Sequence, residues 1–293
     1  MIGAKINPYL ILVLAMVSWG LSNPLADLAV VNMSPILLSL IESLVGLFVI
    51  AIVITIRRIQ IKLPWNFVIP LGLIQPGFAW LLGNIGYTKV TASTGVIFLN
   101  LESVFAIVIA ALWIREQINT KEAIAIGIGL FGGLLASFDA AGINFDVTVG
   151  VLLFAFVALL DAIYAISIKK YGKDLDAIAL GFGQILVSTV LMLLMMIIFD
   201  RTPDISQSLT TWLAALISGL FGVALPIVAF NWAGTRIKST HVGLSFNIVP
   251  IVGIIGAIIL GRGAPTQIQV VGAIFVVISI WLIQSGRESQ EVA

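Results

Sequence analysis

Residues 84–115 read NIGYTKVTASTGVIFLNLESVFAIVIAALWIR, and residues 231–262 read NWAGTRIKSTHVGLSFNIVPIVGIIGAIILGR. Setting Asn84 on Asn231 brings Thr88 onto Thr235, Lys89 onto Arg236, Ser93 onto Thr240, Asn100 onto Asn247 and Arg115 onto Arg262. Each stretch is two apolar runs joined by a tight polar turn. A second, weaker register sets Trp19 on Asp161, Gly20 on Ala162 and Glu42 on Gln184. The chain therefore reads as a duplication, with halves at 1–145 and 146–293.

The composition around this repeat decides its solvent. Of 293 residues, 60% are hydrophobic and 10% charged, whereas ordinary soluble domains carry roughly 25% charge. Apolar runs near the length of one bilayer crossing, about 20 residues, predict ten spans. They lie at 8–26, 34–56, 66–86, 91–113, 122–138, 148–168, 177–199, 209–231, 240–260 and 267–284. The expected fold class is all-α: an integral membrane protein whose ten transmembrane helices form two inverted five-helix repeats, with no room for a soluble domain. The first run is expected to stay as a helix, because no small-residue cleavage pattern follows it. The absence of cysteine excludes disulfides and thiolate metal sites, and no basic stripe points to nucleic acid.

Lys and Arg collect in cytoplasmic loops. With the N-terminus inside, ten crossings leave only Lys89, Arg201 and Arg262 outside, of 15 basic residues in all. The outer loops carry Asp27, Asp139, Asp146, Asp200 and Asp204 instead. Both termini are then cytoplasmic, in the plasma membrane. Five crossings are an odd number, so the second half enters from the other side and the repeats are inverted. Inverted repeats with interrupted helices at corresponding places are the arrangement in which two halves rock about a central site.

Three carboxylates fall inside spans: Glu42, Glu102 and Asp161. A charge in the hydrocarbon layer costs at least about 2.5 kcal/mol, so such groups face the protein interior or a water-filled cavity. Each is a candidate for holding a proton or a substrate amine; each is also readable as a buried acid satisfied by a polar neighbour, Glu102 above all as a protonated acid bonded to a neighbouring helix. Trp19 and Gly20 sit mid-span before Ser22, Asn23 and Pro24, as a cavity wall or a packing pair. The third span holds Gln75, Pro76, Gly77, Trp80 and Asn84, and its mate holds Gly222, Pro226, Asn231 and Trp232. Asn84 and Asn231 read mainly as caps or interhelical glue. Asn100 and Asn247 read as cargo ligands or as bonds across the halves. Tyr164 lies one helical turn from Asp161 and shares its face. Gly129 and Gly133 make a small-xxx-small step for helix packing. Asp174-Leu175-Asp176 is a weak metal pattern, Asn32-Met33-Ser34 a lone sequon, and His241 a polar residue at a helix end.

These residues also carry a family likeness. Trp19-Gly20, the run Tyr87 to Thr94, Leu101-Glu102-Ser103-Val104-Phe105, Arg115-Glu116 with Gly127, Ile248-Val249-Pro250-Ile251 and Gly272 resemble the drug/metabolite transporter superfamily, in its ten-helix form with two EamA-type repeats. Three positions depart from it: Glu42 stands where many members carry arginine, Ser103 replaces the usual proline, and no acid follows Arg262-Gly263. The resemblance implies alternating-access movement of small metabolites, frequently export of amino acids or related compounds.

The combined expectation is a secondary active transporter, an exporter or exchanger of a small metabolite such as an amino acid or amine. Trp19, Glu42, Trp80, Asn100, Glu102, Asp161, Tyr164 and Asn247 would line its substrate site. A proton-coupled multidrug or cation exporter is the alternative. No P-loop occurs, so ATP does not drive it directly. An intramembrane enzyme would need a nucleophile–base pair or a metal cluster, and the sequence offers neither. No cofactor is expected. The expected partners are a small-molecule substrate, the lipid bilayer and protons, with the chain a monomer or weak homodimer.

Overall fold

The computed structural model describes residues 7–113, 120–136, 145–237, 242, 245–246 and 248–291. Among these, the regular structure is helical throughout. Helix α1 (Pro8–Val30) starts at Asn7, whose side chain accepts from the N–H of Tyr9, with proline at its first position. Helix α2 (Pro35–Arg57) starts the same way at Ser34, which accepts from the N–H of Leu37. Both starts satisfy a donor that the helix leaves unpaired and use a residue that needs none. Ser34 also donates to Asp200, so the serine of the lone sequon has a structural role.

The third span is α3 (Trp65–Gly72), a wide turn over Leu73–Phe78, and α4 (Ala79–Tyr87). The break falls at Gln75, which is extended at φ −136° and ψ 120°. Pro76 follows it, and a proline ring disfavours the helical conformation in the residue before it. The fourth span is α5 (Ala92–Leu99) and α6 (Leu101–Trp113), interrupted at Asn100. Then come α7 (Thr120–Ala136), α8 (Phe145–Tyr171) and α9 (Ala177–Phe199). Asp176 caps α9 by accepting from the N–H groups of Ile178 and Ala179, which gives that weak metal pattern a helix-starting role. The eighth span is α10 (Leu209–Ser218), a wide turn over Gly219–Ala224, and α11 (Leu225–Gly234). Helices α12 (Ile248–Ile259) and α13 (Gln267–Glu291) are the last of the described elements.

Among the described residues six helical segments are long and apolar enough to cross a membrane: Pro8–Val30, Pro35–Arg57, Trp65–Tyr87, Val147–Tyr171, Ala177–Phe199 and Leu209–Gly234. Ala92–Ala106 and Ile248–Ile259 are shorter apolar helices. The protein is an all-α membrane protein.

The packing repeats with the halves exchanged. Helix α1 packs on α10, α11 and α12, and its mate α8 packs on α4, α5 and α6. Helix α2 packs on α9 and on the wide turn Gly219–Ala224, while α9 also meets the wide turn Leu73–Phe78. The register that sets Asn84 on Asn231 also sets Gly72 on Gly219. A Cβ on Gly72 would lie 2.7 Å from the Gln184 carbonyl oxygen, and one on Gly219 would lie 2.8 Å from the Cα of Glu42. Two glycines at matched places thus let the backbones of the two halves touch. Helix α7 packs chiefly on α13, where Gly129 admits the side chain of Ser279.

Candidate functional site

The interrupted helices meet around a central cavity of about 70 Å³. Helix α1 contributes Trp19 and Asn23; the third span contributes Gln75, Ala79, Trp80 and Gly83; the fourth contributes Leu99 and Glu102. The second half supplies Phe154, Val157, Asp161 and Tyr164 from α8, with Phe246, Val249 and Pro250 from the ninth span. Both halves therefore build the wall.

Each polar group on this wall has its own surroundings. Trp19 donates its indole N–H to the Gly222 carbonyl at 2.7 Å, a carbonyl in the wide turn of the opposite half. Asn23 donates to the Trp19 carbonyl at 2.8 Å and accepts from the Tyr87 hydroxyl at 2.6 Å. The Tyr164 hydroxyl donates to Asn231 at 2.7 Å. Its ring stacks on Phe230, which also contacts Trp19 and Phe246, with centroids 5.5 to 5.7 Å apart. On this wall three buried polar atoms find no partner among the described residues: Gln75 Oε1, Trp80 Nε1 and Asp161 Oδ1. Glu102 and Asp161 put two acids on the same cavity wall. Among the described residues lining the cavity there is no Lys, Arg or His.

Five of the eight expected site residues thus share one cavity: Trp19, Trp80, Glu102, Asp161 and Tyr164. Glu42 and Asn100 are not on its wall. Asn247 lies outside the described residues, as do Arg115, Glu116, Asp139 and His241. Glu42 is fully buried instead, accepting from Asn84 Nδ2 at 2.8 Å and from the Ser218 hydroxyl at 2.5 Å. Its repeat mate Gln184 accepts from Asn231 Nδ2 at 2.6 Å. Asn84 and Asn231 are therefore interhelical glue in both halves, and the acid of one pair is an amide in the other.

Asn23, Gln75, Phe154 and Phe246 also line the cavity, beyond the residues that the sequence marks as site candidates. Gln75 carries a usable signal, since it precedes the proline that interrupts the third span. The phenylalanines carry none, because one apolar residue in an apolar run looks like the next.

A second cluster closes the polar end of α1. Asp27, 1% exposed, takes a bidentate bond from Arg262: Nε to Oδ2 at 3.0 Å and Nη2 to Oδ1 at 3.0 Å. The N–H of Ala92 adds a third bond, to Oδ2 at 3.2 Å. Hydrogen bonding to Asp27 raises the Arg262 pKa above its ordinary range. Beside the pair lies a polar pocket of about 370 Å³ that also includes Thr91, Val147 and Thr266.

Comparison with known proteins agrees with this architecture. A solved crystal structure superposes with a TM-score of 0.71 at 18% identity, covering 94% of this chain and 96% of that one, and so shares the fold. The chain is 24% identical to an uncharacterized transporter, YvbV, of Bacillus subtilis, over 99% of this chain and 95% of that protein. It is 22% identical to a probable amino-acid metabolite efflux pump of Escherichia coli, over 92% of each. An uncharacterized transporter of Archaeoglobus fulgidus is 21% identical over 95% of this chain and 99% of that protein. The model of the EamA-like transporter family matches twice, at residues 6–138 and 148–285. The two matches follow the internal duplication, and the chain belongs to the EamA-like transporter family of the drug/metabolite transporter superfamily.

Proposed function

We propose that this chain is a secondary active transporter that exports or exchanges a small metabolite, an amino acid or amine, by alternating access. The observation that carries the reading is the central cavity, whose wall is built from both repeats and holds two carboxyls among aromatic rings. Trp19, Trp80 and Tyr164 supply the apolar walls, and Asp161 with Glu102 binds the substrate amine or a coupling proton. Glu42 has a separate, structural role, because its bonds to Asn84 and Ser218 hold α2 against both broken spans. The cargo class agrees with the efflux pump named among the relatives. The distribution of basic residues supports a plasma-membrane protein with both termini in the cytoplasm.

A broad exporter of bulky cationic drugs needs more room. Sites for drug-sized ligands occupy roughly 300–1,000 Å³, against about 70 Å³ here.

Proteoliposome uptake tests the proposal. A labelled amino acid or amine is expected to move, with a rate that responds to an imposed pH gradient. Asp161→Asn is expected to lower that rate by roughly tenfold or more, the loss of one charge-assisted bond. Absence of movement for every such solute, with and without the gradient, defeats it.

A further inference from the structure

We propose that the cavity selects a small primary ammonium ion carrying one neutral hydrogen-bond acceptor, such as an amino alcohol, and rejects the zwitterion of an amino acid. This rests on the transport reading above and narrows its substrate class.

The unpartnered atoms supply the first half of the argument. Buried polar groups almost always find partners, yet among the described residues five side-chain atoms have none: Asn84 Oδ1 and Gln184 Nε2 in the seams, and Gln75 Oε1, Trp80 Nε1 and Asp161 Oδ1. Gln75, Trp80 and Asp161 line the same cavity, and Gln75 is only 6% exposed. Two of these three atoms accept and one donates. An ammonium group has three donors and no acceptor, which fits the carboxylate and amide oxygens. The indole N–H requires an acceptor on the ligand. The other indole and phenol donors on the wall are already committed, Trp19 to Gly222 and Tyr164 to Asn231.

Charge supplies the second half. Glu102 and Asp161 are both acids, and no cationic side chain stands beside them among the described lining residues. A ligand carboxylate would enter next to two acids with only neutral donors to meet it, the Trp80 N–H and the Gln75 and Asn23 amides. Its charge would be stripped of water with no opposite charge to compensate it. A hydroxyl places an acceptor at the same N–H with no charge to desolvate. The aromatic walls favour a cation by their ring faces. Size adds a limit: a water needs about 10–15 Å³ of such space, so a cavity of about 70 Å³ suits a ligand of roughly five to seven non-hydrogen atoms.

Calorimetric titration of the whole chain in lipid nanodiscs tests this with three probes of shared shape. Valinol has the ammonium and a hydroxyl, valine the ammonium and a carboxylate, and isobutylamine the ammonium alone. Valinol is expected to bind about tenfold or more tighter than valine, with isobutylamine in between. Asp161→Asn is expected to weaken both amines by about tenfold or more. Trp80→Phe is expected to weaken valinol more than isobutylamine and so to close the gap between them. Retained melting temperature separates these losses from misfolding, and Glu102→Gln, expected to weaken both amines, serves as the second variant if Asp161→Asn does not fold. Valine binding as tightly as valinol overturns the proposal, as does failure of all three probes to bind or amine binding indifferent to both acids. If proteoliposomes carry valine in an Asp161-dependent way while valinol does not bind, transport stands and the amine selectivity falls. If valinol binds through Asp161 but no solute crosses, the selectivity stands and transport falls.

Discussion

Glu42 and Glu102 are the same residue type, each alone in an apolar run, and their neighbours separate them. Glu42 meets two donors on two other helices, whereas Glu102 faces a cavity beside a second acid. Replacing Glu42 with Leu removes one acceptor from each of Asn84 and Ser218, leaving Asn84 its bond to Ser39 and Ser218 a long one to Ser22. With a lost bond to a charged acceptor costing about 1.5–3 kcal/mol, Glu42→Leu is expected to destabilise the protein by roughly 2–4 kcal/mol. Glu42→Gln keeps one acceptor oxygen and reproduces what the other half already has at Gln184, so about 1–2 kcal/mol is expected. Denaturant unfolding in micelles reads both. Transport by Glu42→Gln should keep its substrate affinity, in contrast to Asp161→Asn; a loss of affinity there would place Glu42 in the site after all.

At the scale of helices, the two wide turns and the two seam glycines act together. A turn that departs from the regular helix frees backbone carbonyls, and the Gly222 carbonyl is the one that Trp19 takes up. Gly72 and Gly219 bring the broken spans close enough to lock against α9 and α2. An added Cβ would strike backbone atoms at 2.7 and 2.8 Å, and backbone cannot swing aside. Gly72→Ala and Gly219→Ala are each expected to cost about 1–3 kcal/mol, as overpacked cores do. Gly127 in α7 is the contrast, since nothing lies within 4 Å of its Cβ position. Gly127→Ala should stabilise by about 0.5–1 kcal/mol through helix propensity alone. Thermal unfolding of the three variants side by side checks the assignment, and equal effects at all three would refute it.

For the whole molecule, the Asp27–Arg262 pair is the clearest tie between the first half and the second. It joins α1 to the turn after α12 at the end where α5 begins. Opening that end would break the pair, so we expect it to act as a latch on one state. The chain contains no cysteine, so Val147→Cys in the adjoining pocket can be labelled without background. Arg262→Ala is expected to raise its labelling rate several-fold. It should also destabilise by about 3 kcal/mol by leaving Asp27 buried and unpaired. The double variant Asp27→Asn with Arg262→Gln should recover most of the stability and retain the fast labelling. A labelling rate unchanged by Arg262→Ala would remove the latch. Cysteines placed at Arg58 and Arg201 should be labelled from opposite sides of the membrane, as inverted halves require; labelling from one side would collapse the inversion.

Much of this architecture is legible in the chain alone. Bilayer thickness demands long apolar runs, so nearly every helix can be placed from hydropathy. The interruption at Gln75 follows from the proline behind it. The matched passages from Asn84 and from Asn231 announce two copies of one bundle. Which side of each helix faces the site is not legible. A soluble helix shows its buried face by polarity, but here the interior and the lipid face are both apolar, as exposed Phe48 and buried Phe154 illustrate. The helices carry no stripe to read. Only their packing decided that Asp161 and Gln75 point into a shared cavity while Glu42 is held in a seam, because that choice depends on which neighbour arrives opposite each side chain.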